Sequence, residues 1–257
     1  MNNIKYSILM PCYNRAKELR IALQTYSNRY KNIRNDYEFV IVEDGKNYND
    51  VSMHIDLMNV LGDFLHLNIT HFYGDSAFNP SKHFNQESKL ARGEYFILTN
   101  PETAIMTDVL GIIDLKSALD ESYIIGACAN CDTVHFDTDG QLRGNLIMWY
   151  NHSIHRKTYW HFFSVIPRRL YEFVDGFDEM YTKGMSYDDN DFALSVACHK
   201  IPFIFDDDIY TMHIAHDCTY QKENLALASI NREYYMKKWN VEDTMEAFHT
   251  KLEGFYK

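Results

Sequence analysis

The sequence predicts an α/β fold in which helices flank a mostly parallel central sheet. Up to residue 105, short apolar runs rich in β-forming residues alternate with stretches whose apolar residues recur at helical spacing. This alternation is typical of right-handed βαβ units, which place successive strands parallel. At 257 residues, the chain is long enough for one large α/β domain.

Local signals place each element of the first half in order. The apolar runs predict strands at residues 6–10, 39–42, 65–73 and 95–98. The helical periodicities predict helices at residues 19–26, 51–61 and 81–90. Pro11 ends the first strand, and Asp44-Gly45 follows the second.

The second half has a less regular pattern. It predicts a helix at 107–119, a strand at 123–128, an aromatic segment at 149–163 and a final helix at 224–239. Asp137-Thr-Asp139-Gly140 resembles a metal-binding Asp-x-Asp, but Asp-Gly between β-like runs is a turn signal and predicts a hairpin. We interpret the acidic run 206–208 as a solvated strand end.

Bulk composition limits the function classes. Apolar residues make up 46% of the chain and aromatic residues 15%, which indicates a folded protein. The net charge of −11 weighs against a broad nucleic-acid-binding face. Five cysteines, an odd number scattered through the chain, indicate a reducing compartment. Cys128-Ala-Asn-Cys131 has zinc-like spacing but no partner pair with matching spacing, so we interpret these two as ordinary thiols. Since we find neither a signal peptide nor a run of about 18 apolar residues, we expect no integral membrane segment and a cytoplasmic protein.

Polar residues follow three of the predicted parallel strands. They are Pro11-Cys-Tyr13, Asp44-Gly45 and Asn100-Pro-Glu102. Ligands of such sheets bind at the carboxyl ends of the strands. We therefore expect these three segments to face one crevice.

Several motifs occur in a fixed order along the chain. They are Ser7-Ile-Leu-Met-Pro-Cys-Tyr-Asn-Arg15, Val40-Ile-Val-Glu-Asp-Gly45, Asn79-Pro-Ser-Lys-His-Phe-Asn85 and Ala91-Arg-Gly-Glu-Tyr95. Together they resemble the family 2 glycosyltransferases, over about residues 5–240. The resemblance implies the GT-A fold, a Rossmann-like nucleotide-diphospho-sugar transferase fold. It also implies a nucleotide-sugar-binding half at 1–105 and an acceptor-binding half at 106–257, within one continuous domain.

The same resemblance assigns the donor site. The implied nucleotide-sugar-binding residues are Pro11, Tyr13, Asn14, Arg15, Asp44, Gly45, Lys82, Asn85 and Asn100. Glu43 replaces the first acid of the family's Asp-Asp-Gly motif, whereas Asp44 is retained and is the expected nucleobase and ribose partner. The donor is expected to be a UDP-sugar. Asn14 has a competing interpretation as a helix cap.

A metal site is implied where many family members carry Asp-x-Asp and a rhamnosyltransferase-like branch carries Asn-Pro-Asp. Here Glu102 is expected to bind Mn²⁺ or Mg²⁺, because the leaving diphosphate carries charge that a divalent ion neutralises. His216, followed by Lys222-Glu-Asn224, resembles the tail of chondroitin-polymerase-like members, in which the histidine reaches the metal. His213 is the competing ligand.

An acceptor-side signature occupies the second half. Val174-Asp-Gly-Phe-Asp-Glu179 is followed by Ser186-Tyr-Asp-Asp-Asn-Asp-Phe192, which resembles the family's Gly-Gly-Phe-Asp-Glu turn and its acidic helix start. The resemblance makes Asp189 the general base of an inverting reaction, with Asp188 and Asp191 orienting it or its surroundings. The alternative role of these acids is to stabilise a helix N-terminus.

Two other function classes compete with a glycosyltransferase. A nucleotidyltransferase usually has a glycine-rich first loop, and Pro11–Arg15 contains no glycine. A catalytically inactive sugar-nucleotide or glycan-binding module would not need the retained Asp188 and Asp189. For an active enzyme the acceptor is expected to be a glycan or glycolipid, with a modified nucleic-acid base, as in phage-type enzymes, as the alternative.

Overall fold

The fold is taken from a computed structural model that describes residues 3–74, 80–216 and 222–257. The strands are β1 (Tyr6–Leu9), β2 (Tyr37–Glu43), β3 (Ile69–Tyr73), β4 (Tyr95–Thr99), β5 (Thr103–Ile105), β6 (Tyr123–Phe136), β7 (Leu142–Asn151), β8 (Phe163–Pro167) and β9 (Phe203–Ile214). The α-helices are α1 (Ala16–Tyr30), α2 (Gly45–Asn49), α3 (Val51–Asp63), α4 (Pro80–Leu90), α5 (Val109–Asp114), α6 (Arg168–Phe173), α7 (Asp188–Cys198), α8 (Lys222–Trp239) and α9 (Met245–Gly254). Short 3₁₀ turns lie at Leu119–Glu121 and Glu179–Lys183.

One nine-stranded sheet runs through the described residues, in the order β3-β2-β1-β4-β8-β6-β9-β5, with β7 paired to β6. The β1–β2, β2–β3 and β1–β4 pairs are parallel, as the alternating pattern predicts. In the second half β6 and β9 are parallel, whereas β8, β5 and β7 pair antiparallel to their neighbours. The predicted α/β class, with a parallel sheet in the first half, is confirmed, and the second half supplies the antiparallel strands.

Helix α1 packs on the sheet because its apolar side chains recur on one face. Leu19, Leu23 and Tyr26 are fully buried in a cluster that also contains Ile8 of β1 and Phe39 of β2. Burying each such side chain contributes about 1.5–3 kcal/mol. This packing fixes the loop between β1 and α1, which carries the first of the predicted donor-site residues.

The acidic run at 206–208 does not end a strand, and the prediction for it was wrong. Asp206 to Asp208 lie inside β9, at a register irregularity where Gly126 pairs with Asp206 and Ala127 already pairs with Tyr210. Asp206 is buried and forms an ion pair with Lys116. The register irregularity accommodates the three acids within the strand. The alternation of apolar and polar residues does not predict such an irregularity.

The Asp137–Gly140 segment forms the predicted turn between β6 and β7. Oδ1 of Asp137 accepts hydrogen bonds from the backbone N–H groups of Asp139 at 3.0 Å and Gln141 at 2.9 Å. Gly140 has φ of +73°, a left-handed conformation that glycine adopts without strain.

In the part of the chain that the structure describes, no helix has the length and apolar character required to cross a bilayer.

A buried carboxyl group on α4 supports the sheet by binding the backbone of β2. The side chain of Glu87 on α4 is fully buried, and its Oε1 accepts the Val42 backbone N–H at 3.1 Å. Oε2 of Glu87 has no hydrogen-bond partner among the described residues. Burial therefore raises the pKa of Glu87 well above its usual range, so that the protonated form is favoured.

Replacing Glu87 tests this placement. A folded-state pKa above the unfolded value gives stability that is present in acid and is lost as the pH rises. We expect Glu87→Gln to gain stability relative to wild type between pH 5 and pH 8, because the amide does not ionise. Glu87→Ala leaves the Val42 N–H unsatisfied and should cost about 1–3 kcal/mol at pH 5, where Glu87 is protonated. Since alanine does not ionise either, this cost should fall by pH 8 by the amount that Glu87→Gln gains. Urea unfolding at the two pH values measures both effects. A Glu87→Gln difference that does not change with pH would contradict the assignment.

Candidate active site

The ends of β1 and β2 form the first part of the crevice. Asp44 follows β2 directly, is fully buried, and its Oδ1 accepts the Lys46 backbone N–H at 2.8 Å, which caps α2. Its other oxygen, Oδ2, has no hydrogen-bond partner among the described residues and lies 3.9 Å from Nε2 of His83 on α4. Burial raises the pKa of Asp44 to about 6. Gly45 is the first residue of α2, and Pro11 is buried in the segment that follows β1, where the next residue, Cys12, bridges to Glu43.

The Glu43 carboxylate is occupied by protein groups. Its oxygens accept the Asn47 side-chain N–H at 2.5 Å and lie 2.9 Å from Nδ1 of His54 and 3.1 Å from Nε2 of His71. Glu43 is fully buried, so these three groups compensate its charge. Sequence reasoning identified Glu43 only as a replacement and missed its partners, which lie on α2, α3 and β3.

Asn47, which donates to Glu43, also binds the loop after β1. Asn14 has φ of +50°, and its backbone N–H donates to Oδ1 of Asn47 at 2.9 Å. Helix α1 starts without a side-chain cap, so Asn14 is not its capping residue. Tyr13 is half-buried in this loop.

Glu102, His213 and His216 converge on one point. Oε1 of Glu102 lies 3.6 Å from Nε2 of His213 and 3.5 Å from Nε2 of His216. One ligand atom from each of the three residues lies within 4.8 Å of the ligand atoms of the other two. Both histidines that the sequence analysis left as alternatives are therefore members of one cluster.

Strand pairing brings this cluster together. Thr103 of β5 pairs with His213 of β9, and the Ile214 backbone N–H donates to the Glu102 carbonyl at 2.8 Å. Nδ1 of His213 lies 2.9 Å from Oδ1 of Asn130 on β6. In the tautomer that carries its proton on Nδ1, this N–H donates to Asn130 and Nε2 is available as a metal ligand.

The cluster is basic on one side. The Arg15 guanidinium lies 3.0 Å from Nδ1 of His216 and 4.0 Å from Oε2 of Glu102. Burial alone raises the pKa of Glu102, but His213, His216 and Arg15 outweigh it and hold this pKa well below its usual range. Glu102 is therefore an anion near neutral pH. Asn100 is half-buried in the turn before Glu102, and its carbonyl accepts the Thr103 N–H.

The residues present fit a divalent cation. Oε2 of Glu102 is buried without a hydrogen-bond partner among the described residues, so it offers a free anionic oxygen. One carboxylate and two imidazoles are a donor set that first-row divalent ions accept, whereas Mg²⁺ prefers oxygen ligands.

Asp189 lies at the start of α7 and is held by a residue that sequence analysis missed. Its Oδ1 lies 2.6 Å from Nδ1 of His161 and accepts the His161 backbone N–H at 3.0 Å. Burial raises the pKa of Asp189, but the adjacent imidazole outweighs it and lowers this pKa below its usual range. Burial lowers the pKa of His161, and Asp189 in turn raises it above its usual range. No motif marks His161, because it lies 28 residues before Asp189 in an aromatic stretch.

The other two predicted acids differ in their surroundings. Burial and the neighbouring Asp189 raise the pKa of Asp188 to about 6. Asp191 is fully buried, and accepts hydrogen bonds from Tyr181 at 2.9 Å, Trp239 at 2.6 Å and Lys238 at 2.9 Å. We therefore place Asp191 in the attachment of α8 to α7, which supports the surroundings of Asp189 rather than the acceptor itself.

Aromatic side chains of residues 160–162 contact both the surroundings of Asp189 and the cluster of Glu102, His213 and His216. The Phe162 ring, next to His161 in the chain, stacks on Tyr150 at 4.5 Å and lies 5.3 Å from the His213 ring. Trp160 is half-buried and donates to Asn190 beside Asp189 at 3.1 Å. The segment 160–162 therefore contacts the surroundings of Asp189 on one side and the Glu102 cluster on the other.

Asn85, predicted to bind the donor, is fully engaged within the protein. Its Nδ2 donates to the Phe177 carbonyl at 2.8 Å and to Glu179 at 3.0 Å, while its Oδ1 accepts from Tyr171 at 2.8 Å and the Phe177 backbone N–H at 2.9 Å. These bonds use all hydrogen-bonding positions of the amide. These contacts favour a structural role for Asn85, in which it fixes the turn that leads to α7.

Gly176 makes this turn possible. It has φ of +63°, and a Cβ atom there would lie 2.5 Å from Oδ1 of Asn85.

Lys82 is half-buried in the first turn of α4. Asn79 and the side chains of Lys222, Glu223 and Asn224, which belong to predicted motifs, lie outside the described residues.

Comparison with known proteins gives the class. The family model "Glycosyl transferase family 2" matches residues 7–173. Because the match covers more than half of the chain, the protein belongs to glycosyl transferase family 2 and is a glycosyltransferase. No curated protein sequence matches the chain significantly.

Solved structures of two glycosyltransferases share the fold. The mannosyltransferase PcManGT from Pyrobaculum calidifontis, in complex with GDP-Man and Mn²⁺, is 16% identical with a TM-score of 0.62, covering 98% of this chain and 69% of its own. S. aureus TarS 1-349 is 16% identical with a TM-score of 0.60, covering 98% of this chain and 71% of its own, and a second TarS structure contains UDP with a TM-score of 0.58. At this identity the likeness establishes the GT-A fold alone.

Replacing Asn85 distinguishes support from donor contact. We expect Asn85→Ala to lower the free energy of unfolding by about 2–3 kcal/mol, because several buried hydrogen-bonding groups lose their partner. Its affinity for a nucleoside diphosphate should stay within about twofold of wild type at a temperature where both are folded. Asn145→Ala, at an exposed position on β7, is the matched control. A stable variant that loses nucleotide affinity would restore Asn85 to the donor site.

Proposed function

We propose that the protein transfers a sugar from a nucleoside-diphosphate sugar, with a UDP-sugar as the first candidate, to a hydroxyl group of a glycan or glycolipid, with inversion at the anomeric carbon. The observation that carries this proposal is the placement of two acidic groups on either side of residues 160–162. Asp189 is on one side and the Glu102 cluster is on the other. An inverting transfer needs a base and a diphosphate-binding group on opposite faces of one sugar.

The donor nucleoside is assigned to the end of β1 and β2. Asp44 has a buried carboxylate oxygen without a hydrogen-bond partner among the described residues, which suits an N–H or O–H donor of a nucleobase or ribose. Pro11, Tyr13 and Gly45 are assigned to the same nucleoside site. UDP and GDP-Man occur in structures of TarS and PcManGT, which supports a nucleoside diphosphate without choosing the base.

The diphosphate is assigned to Glu102, His213, His216 and Arg15. A divalent cation held by Glu102, His213 and His216 would supply positive charge against the leaving diphosphate. The Arg15 guanidinium, which already contacts this cluster, offers further hydrogen bonds to phosphate oxygens. The complex of PcManGT with Mn²⁺ and the two imidazoles in the donor set favour Mn²⁺ over Mg²⁺.

Asp189 is the proposed base. Its side chain is 31% exposed, and Oδ1 is engaged by His161, which leaves Oδ2 to meet an acceptor hydroxyl. As this oxygen takes the proton, the acceptor oxygen forms the bond to the anomeric carbon. The bond from that carbon to the diphosphate breaks at the same time, with its electron pair leaving on the phosphate oxygen.

Metal binding is testable without an acceptor. Glu102→Gln, His213→Ala and His216→Ala should each weaken Mn²⁺ binding at least about tenfold, since each removes one of three ligands. His135→Ala, at an exposed histidine on β6, should bind Mn²⁺ as wild type does. Calorimetric titration measures the dissociation constants. Retained affinity in all three ligand variants would contradict the assignment.

The base has a separate test. Asp189→Asn should lower turnover by about 10²–10⁴-fold while leaving the dissociation constant of the nucleoside diphosphate unchanged, because the amide cannot accept the proton. Asp139→Asn, in the exposed β6–β7 turn, controls for the general loss of an acid. Turnover is followed as release of nucleoside diphosphate from the sugar donor. Wild-type turnover in Asp189→Asn would eliminate Asp189 as the base.

A further inference from the structure

His161 has a geometry that goes beyond holding a loop. Two donors of this residue, its ring Nδ1 and its backbone N–H, converge on a single oxygen of Asp189, at 2.6 Å and 3.0 Å. A backbone and a side-chain bond to the same oxygen fix both the position and the rotation of the carboxylate. The other oxygen is left to the partly exposed side of Asp189.

The imidazole itself is held by aromatic packing. Its ring meets Phe84 at 5.0 Å and 89°, and Phe177 at 5.0 Å and 78°, both edge-to-face arrangements. His161 is only 5% exposed, so its ring is shielded from solvent. Phe84 lies on α4 and Phe177 in the turn pinned by Asn85, and the same turn therefore supports the ring that orients Asp189.

We propose that His161 is a positioning residue for the base: it fixes the Asp189 carboxylate, and its own protonation state sets how strong a base that carboxylate is. This inference rests on the function proposed above. The acceptor O–H bond breaks and its proton goes to Oδ2 of Asp189, while the electron pair stays on the acceptor oxygen for the new bond to the sugar. The neutral imidazole is the reactive form, because its Nδ1–H still holds Oδ1 without the positive charge that weakens the base.

Charge around the pair supports this division of roles. Asp188 and Asp189, both from α7, are the acids that act on the imidazole, whereas α4 and the turn after α6 present the uncharged rings of Phe84 and Phe177 to it. Tyr123 of β6 is the further titratable group influenced by Asp189. An imidazole next to two acids retains its proton to higher pH, and the carboxylate next to an imidazolium is a weaker base.

Two substitutions separate the positioning of the carboxylate from the effect of the imidazole's charge on it. His161→Asn places an amide N–H near the position of Nδ1 but does not titrate. We expect it to keep turnover within about tenfold of wild type and to move the acid limb of the kcat/KM profile to lower pH. His161→Phe keeps a ring between Phe84 and Phe177 but loses the donor, and should lower kcat by about 10–100-fold with unchanged nucleotide affinity. His135→Asn is the control.

A second measurement does not depend on catalysis. The titration of the His161 ring protons by nuclear magnetic resonance should show a lower pKa in Asp189→Asn than in wild type, because the amide no longer stabilises the imidazolium. A role in packing alone would lower the unfolding temperature of the variants without changing either titration or pH profile.

The outcomes are distinct. An active wild-type enzyme whose pH profile is unchanged by His161→Asn, or whose His161 titration is unchanged by Asp189→Asn, would overturn the role of His161 while leaving the transferase intact. A wild-type protein that releases no nucleoside diphosphate from any sugar donor would contradict the proposed function, and with it the catalytic part of this inference. A shifted pH profile together with a shifted titration supports the pair.

Discussion

The pairing of β5 with β9 is the constraint on which the proposed site depends. It places Glu102, which follows the central parallel strands, next to His213 and His216, more than 100 residues later in the chain. The parallel pairing of β9 with β6 then adds Asn130 behind His213. His213 lies in β9, while Glu102 directly precedes β5 and His216 lies two residues after β9, so the register of these two strands sets how far apart the three ligands are.

The hydrogen-bond partners of each buried acid indicate whether the acid supports the fold or faces a ligand. Glu43 and Asp191 are surrounded by protein donors, which makes them supports. Asp44 and Glu102 each keep one buried oxygen without a hydrogen-bond partner among the described residues, and these are the oxygens we assign to ligands. Burying an unsatisfied polar oxygen costs about 1–3 kcal/mol, and a bound donor or cation would remove that cost.

The sequence was sufficient for the fold class and for the parallel first half of the sheet. Alternating periodicities predicted the parallel half, and the ends of β1, β2 and β4 carry Pro11, Asp44 and Asn100 as expected. It could not identify His161, Asn130 or the pairing of both histidines with Glu102, because these contacts join strands far apart in sequence without a spacing rule. It also assigned Asn85 to the donor, since a polar residue on a helix does not reveal that a distant turn consumes its hydrogen bonds.

Calorimetric titration of the protein with UDP, GDP, dTDP and CDP, each with and without Mn²⁺, tests the central claim most directly. That claim is that the crevice at the ends of β1, β2 and β4 binds a nucleoside diphosphate with a cation held by Glu102, His213 and His216. We predict that one nucleotide binds tightly, and that Mn²⁺ strengthens its binding at least about tenfold. Binding that is unaffected by Mn²⁺ would contradict the cation site, and the absence of binding by all four would contradict the donor site itself.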